Sequence, residues 1–369
     1  MNEELLALME NGVAIEHHHF RDVLSKVLRK IQHGRHDEIT SVLGPTGVGK
    51  TTLINFLTDK LQDKQSNGWR DHLHPPIVVE APAQTENSFP WREFLADLLV
   101  ELGEDEVDSK VDLDHIHQGM KIGRDTRSGP KIGIAKLQDL LRKRVKALRP
   151  IAILVDESQN IVEGLPDKTR KANVNRLKTW ANTMDTRLLF FGTHEARHLE
   201  DINEQLTRRI SPIYFPRYRC DDDDERREFA TFYASLVRHL GIPIDPKIND
   251  DFGFLINHSL GCPGILASWL QESIAYCIDM NQKKITPTIL RKTRFSLSRL
   301  RTIEQAIKDF EVYHDSNFGD FNPFLVVGMG GQESMDYTPS SAKKVTKQRN
   351  NLKPGTQKPK RHQVHDTQN

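Results

Sequence analysis

The sequence predicts an α/β fold, a parallel sheet flanked by helices and followed by a small helical unit, and three observations predict it. Residues 44–51 read Gly-Pro-Thr-Gly-Val-Gly-Lys-Thr, an unbroken G-x-x-x-x-G-K-[ST] loop set between an apolar strand and an amphipathic helix. Two further apolar runs, residues 151–155 and 187–192, each end on polar residues, as strands do on the ligand-binding edge of a doubly wound sheet. From Asp221 to about Val312 the chain then reads as helical.

Taken in order, residues 1–36 form a helical lead-in, with Val23, Leu24, Val27, Leu28 and Ile31 as its apolar stripe. Residues 38–43 supply the strand before the loop. Residues 52–61 supply the helix after it, with Leu53, Phe56, Leu57 and Leu61 at helical spacing. Strand, loop and helix together predict a nucleoside triphosphate site. Gly44, Pro45, Thr46, Gly47, Val48 and Gly49 wrap backbone N–H groups around phosphates, and Thr52 opens the helix whose dipole assists them. Lys50 reaches the β- and γ-phosphates, and the Thr51 hydroxyl ligates Mg²⁺.

The strand at 151–155 ends in Asp156-Glu157. Asp156 is placed to hold the Mg²⁺ shell and Glu157 to deprotonate an attacking water, although such a pair alone also serves as a helix cap. The strand at 187–192 ends in Thr193-His194-Glu195. Thr193 either touches the γ-phosphate and lytic water or caps the helix that begins near His194. Arg208 and Arg209 precede the apolar stretch 213–215. They read either as arginine fingers reaching a neighbour's γ-phosphate or as a surface basic pair. The acidic run 221–225 opens the helical unit as a cap and solvated surface.

Charge is uneven beneath a formal net charge of +1. Residues 339–369 hold eight Lys/Arg against Asp366. Removing these from totals of 52 basic and 51 acidic residues leaves 44 and 50 for the rest. That tail is disordered by composition; it either adds non-specific affinity for DNA or an acidic partner, or solubilises the chain. A denser signal runs from Lys121 to Arg149, where ten basic residues face only Asp125 and Asp139. Its glycine-containing loop, with Lys121, Arg124, Arg127 and Lys131, is the predicted DNA-phosphate track, against the reading of an ordinary solvated surface. The following helix turns Ile134, Leu137, Leu140, Leu141 and Val145 inward.

No run approaches the roughly 20 apolar residues of a membrane span. The acidic start lacks a signal peptide's basic region. Cys220, Cys262 and Cys277 show no metal or redox spacing, and His17-His18-His19 has no second ligand cluster near it in sequence. A cytoplasmic protein is expected.

Phosphate loop, Asp-Glu strand end, polar strand end and paired arginines, in this order, resemble the P-loop core of an AAA+ ATPase. Residues 189–196, Leu-Phe-Phe-Gly-Thr-His-Glu-Ala, resemble the GT-x-E-A segment of transposition ATPases of the TnsC/TniB type. Residues 205–217 resemble that family's arginine-finger segment and following strand, with Arg209 on its more regular arginine and Arg208 on a variable position. The resemblance covers residues 1 to about 315, and the length is similar to that of the short TnsC proteins of CRISPR-associated transposons. It implies a core over 37–219, a lid over 220–315 and an extension over 316–369. It implies an ATP- and Mg²⁺-dependent regulator of DNA transposition in the bacterial cytoplasm. Such a regulator forms a homo-oligomeric ring or filament of six or seven subunits per turn on duplex DNA. Its partners would be the transposase subunits TnsA and TnsB and a target selector of the TniQ/TnsD type. The lid stretch 260–270 has no arginine where many AAA+ lids place one, so hydrolysis is expected to be slow and regulatory.

Two other readings stand beside this one. A helicase-loader or initiator-type AAA+ ATPase would act on a replication partner; the TnsC-like segments and the lack of a recognisable helix-turn-helix weigh against it. A non-enzymatic adaptor would use nucleotide only as a structural ligand, and the complete Asp156-Glu157 pair weighs against that.

Overall fold

The computed structural model describes residues 15–35, 37–62, 74–85, 87–104, 133–201, 209–241 and 243–318. All fall within the compact unit formed by residues 1–319. Helix α1 (His18–His33) leads into strand β1 (Ile39–Leu43), the phosphate loop and helix α2 (Lys50–Gln62). Strand β2 (Ile77–Glu80), helices α3 (Trp91–Glu101) and α4 (Ile134–Leu148) and strand β3 (Ala152–Asp156) follow. A 3₁₀ turn (Ser158–Ile161) and α5 (Asp167–Thr183) lead to β4 (Arg187–Gly192). A second 3₁₀ turn (His194–Arg197) and short α6 (His198–Asp201) precede β5 (Ile210–Tyr214).

The five strands lie parallel in the order β2-β3-β4-β1-β5. All five residues of β1 are buried, as expected where helices cover both faces. The two-residue alternation sends neighbours into different cores. Leu188 and Phe190 pack into the cluster that also contains Phe94, Leu141 and Trp180 from α3, α4 and α5. Leu189 and Phe191 face Val27 and Leu57 of α1 and α2. The α1 stripe is buried at Val23, Leu24, Val27 and Ile31, with Leu28 packed at its margin. One inward residue of α4 differs from expectation: Ile134 is 37% exposed, because the buried stripe starts a turn later at Leu137.

Beyond the sheet come α7 (Asp223–Leu240), α8 (Lys247–Asp250), α9 (Phe252–Ser259), α10 (Pro263–Asp279), α11 (Pro287–Thr293) and α12 (Leu297–Phe318). The acidic run caps α7, with the Asp222 carboxylate accepting from the backbone N–H groups of Asp224 and Glu225 at 2.8 and 3.1 Å. Phe229, Trp269 and Leu290 centre a separate lid core. Among the described residues, no helix is long and apolar enough to cross a membrane.

The histidines at the start of α1 tie it to the lid side. His17 Nδ1 lies 2.9 Å from the Tyr218 hydroxyl and also faces the Phe20 N–H, so donors converge on it and the ring proton sits on Nε2. Burial, with His19, Arg21 and His18 adding, lowers the His17 pKa to about 3. Unfolded, this ring takes its proton near pH 6.5, so between that value and about 3 the unfolded chain binds one proton more than the folded one. Stability is therefore expected to fall with pH below 6.5, by up to about 1.4 kcal/mol per unit from this ring. His17→Asn, which keeps a capping acceptor but does not titrate, should flatten that slope in chemical unfolding between pH 6.5 and 5. An unchanged slope would show that the ring protonates without unfolding.

Candidate nucleotide site

The phosphate loop leaves β1 at Leu43 and enters α2 at Lys50, so the first-turn amides of α2 point at the space above the sheet. Gly47 (φ +85°) and Gly49 (φ +110°) hold backbone conformations that side chains disfavour, and these bends turn the loop around that space. Lys50 is buried. Its Nζ donates to the carbonyls of Gly44 and Pro45 at 2.8 and 3.1 Å. Burial lowers its pKa, while the nearby carboxylates of Glu157 and Asp156 oppose the fall.

Strand β3 brings Asp156 to the same edge. Its Oδ2 accepts from the Thr51 hydroxyl at 2.9 Å, and its Oδ1 accepts from the Glu157 N–H at 2.8 Å. Thr51 and Asp156 thus meet although 105 residues separate them. A hydroxyl and a carboxylate oxygen converging beside a phosphate loop form the all-oxygen donor set that a hard cation such as Mg²⁺ prefers, so these residues fit it. Glu157 adopts the left-handed conformation (φ 51°), which costs a non-glycine residue roughly 1–3 kcal/mol.

Strand β4, between β3 and β1, delivers Thr193. Its side chain makes no cap bond to the turn that follows; the hydroxyl donates instead to the Glu195 carboxylate. The Thr193 hydroxyl thus makes no cap bond and lies at the carboxyl end of β4. Thr193 and Glu195 line a cavity of about 180 Å³ with Thr46, Gln159 and Ala306 of α12. Gln159 went unnoticed in the sequence: it lies two residues past Glu157 in a turn without long periodicity.

The lid meets the loop through backbone. The Gly264 N–H donates to the Gly47 carbonyl at 2.7 Å, and a Cβ at residue 264 would stand 2.8 Å from that oxygen. At residue 264 the start of α10 therefore sits too close to the loop for any side chain. Helix α12 returns to the same side. Arg217 donates to both Glu311 oxygens at 2.8 and 3.1 Å, and Phe310 is buried beside Tyr214.

Arg209 stands elsewhere. It precedes Ile210, which pairs with Ile39, whereas the phosphate loop follows Leu43, which pairs with Tyr214. The length of β5 puts it roughly 15 Å from the site in its own chain. There its guanidinium donates to Asn182. Arg208 lies outside the described residues, as do Lys121, Arg124, Arg127, Lys131 and the tail at 339–369.

Residues 32–200 match the sequence family described as the AAA domain. The chain carries an AAA-family ATPase domain. A curated relative, ORC1-type DNA replication protein 1 of Sulfurisphaera tokodaii, is 27% identical over 226 residues, covering 58% of this chain and 47% of the relative. The chain thus spans about half the length of that relative. Among solved structures, the Aeropyrum pernix ORC2 protein in its ADP form aligns with a TM-score of 0.51 at 13% identity, over 77% of this chain and 70% of that one. Cdc6p from Pyrobaculum aerophilum aligns with a TM-score of 0.50 at 13% identity, over 76% and 68%. At such identity these two likenesses establish the fold alone: a parallel sheet with flanking helices.

Proposed function

We propose that this chain is an ATP-hydrolysing AAA+ protein that assembles on duplex DNA and acts there as a replication initiator or loader. The observation that carries the hydrolytic part is the convergence of Lys50, Thr51, Asp156, Glu157 and Thr193 at the carboxyl edge of β1, β3 and β4. In this reading Lys50 and the loop amides bind the β- and γ-phosphates. Glu157 takes a proton from water as its oxygen attacks γ-phosphorus, and the bond to the bridging oxygen breaks with its electron pair leaving on ADP. Thr51 and Asp156 would hold Mg²⁺, which when bound neutralises charge on the phosphate oxygens. Arg209, remote from its own chain's site, would complete a neighbour's site, so assembly and hydrolysis are linked.

Support for an action on DNA replication comes from the 226-residue similarity to an ORC1-type DNA replication protein. A specific feature favours a second reading, the regulation of transposition with TnsA, TnsB and a TniQ/TnsD-type selector as partners. The segment 189–196 that resembles the TnsC/TniB family holds Gly192, Thr193 and Glu195, and Thr193 and Glu195 line the cavity beside the loop. Co-purification from the host separates the two readings: a replicative helicase or its loader supports the first, and a transposase supports the second.

The DNA assignment has its own test. Lys121, Arg124, Arg127 and Lys131 are proposed to contact phosphates, so affinity for duplex should fall with salt at a log-log slope of about −0.9 per contact. Neutralising two of the four should weaken binding to all sequences alike, lower that slope by about 2, and spare ATP binding. Deleting residues 339–369 should do less, since a tail adds attraction without register. If the deletion abolishes DNA binding while the loop variant retains it, the contact surface lies in the tail.

A further inference from the structure

Gln159 has both ends of its carboxamide engaged. The side chain is buried, 7% exposed, in the first 3₁₀ turn after β3. Its Nε2 donates to Glu157 Oε2, and its Oε1 accepts from the Thr193 backbone N–H at 3.2 Å. The amide thus bridges the end of β3, which carries the base, and the end of β4, which lines the cavity beside Thr46. Gly192 makes room for it: a Cβ there would stand 2.9 Å from Gln159 Oε1 and 2.6 Å from Ser158 Oγ.

We propose that Gln159 is a positioning residue for hydrolysis. It holds one oxygen of the Glu157 carboxylate, so that the other is presented to the water, and it ties this orientation to the strand end that meets the γ-phosphate. The need for such a holder is visible in the backbone. Glu157 sits in a left-handed turn and its side chain accepts from no other group among the described hydrogen bonds. An ordinary packing role would be met by any side chain of the same volume. A bridging role requires the donor on Nε2 and the acceptor on Oε1.

The inference rests on the ATPase reading with Glu157 as base, and the test separates the two. Gln159→Met keeps length and volume but removes donor and acceptor. It should lower kcat by about 100-fold, the scale of a misplaced catalytic group, while KM and the affinity for a fluorescent ATP analogue stay within about 2-fold. Gly192→Ala, which crowds both Gln159 Oε1 and the buried Ser158 hydroxyl, should lower kcat in the same direction and also lower the thermal midpoint, with nucleotide affinity retained below that midpoint. Single-turnover rates of Glu157→Gln and of the double variant Glu157→Gln/Gln159→Met then decide the route. If Gln159 acts through Glu157, adding the second change costs less than about 2-fold. Losses that multiply, or a Gln159→Met protein that turns over at the parent rate, would overturn the inference and leave the ATPase reading standing. A Glu157→Gln protein at the parent rate would overturn the base assignment, and the inference with it.

Discussion

Glu157→Gln is expected to cut ATP turnover by about 10²- to 10⁴-fold while nucleotide binding survives, since proton transfer by a positioned side chain contributes that much. The substitution keeps the shape of the side chain and removes its basicity. The Asp156 contacts to the Thr51 hydroxyl and the Glu157 N–H do not involve the altered group, so the strand end should hold. Lys50→Ala should act earlier. Its ammonium is buried against the Gly44 and Pro45 carbonyls, where the loop keeps a cation in place for an anionic ligand. Removing it should abolish measurable ATP binding and, with it, nucleotide-dependent assembly on DNA. Equilibrium binding of labelled ATP and steady-state phosphate release distinguish the pair: binding without turnover for Glu157→Gln, neither for Lys50→Ala. Turnover at the parent rate in Glu157→Gln would move the base elsewhere.

The parts of this site that were legible in sequence are those encoded over short stretches. The loop motif, the apolar run into Asp156 and the run into Thr193 each specify a strand end with its polar residue, and a parallel sheet places all such ends on one edge. What escaped the sequence was the contact between stretches. The absence of an arginine near residue 264 was visible. The backbone contact that joins lid and loop there was not, because the Gly264 N–H meets the Gly47 carbonyl only once the lid has folded back over the loop. Gln159 was hidden for a different reason: a 3₁₀ turn brings residue i+2 back onto a carboxylate, and no periodicity marks it. Ile134 shows the limit of helical spacing, which identifies a stripe but not the turn at which burial begins.

The resemblance to transposition ATPases and the similarity to an ORC1-type protein share the same α/β core. They differ over the process in which the ATPase acts. The core residues common to both readings make the interface between subunits the more general question.

Arg209→Ala is expected to leave ATP binding by the monomer intact and to lower hydrolysis by about 10³-fold or more, the effect of losing a finger supplied in trans. The expectation stems from the register of β5. Ile210 and Tyr214 mark opposite ends of a strand whose far end adjoins the phosphate loop, so Arg209 cannot reach its own site without unpairing β5 from β1. A neighbour can offer it, because a head-to-tail interface gives each subunit one face with a site and one with an arginine. Two defective proteins should therefore complement. Arg209→Ala retains Glu157 and the site; Glu157→Gln retains Arg209 and still binds the nucleotide that assembly requires. Mixed in equal amounts in a random assembly, about one interface in four joins an intact site to an intact arginine, and activity should recover toward a quarter of the parent rate. Arg208→Ala is the weaker case, since the resemblance places the regular finger at Arg209. Recovery at no mixing ratio would mean that Arg209 acts within its own subunit, through its bond to Asn182 and the end of α5.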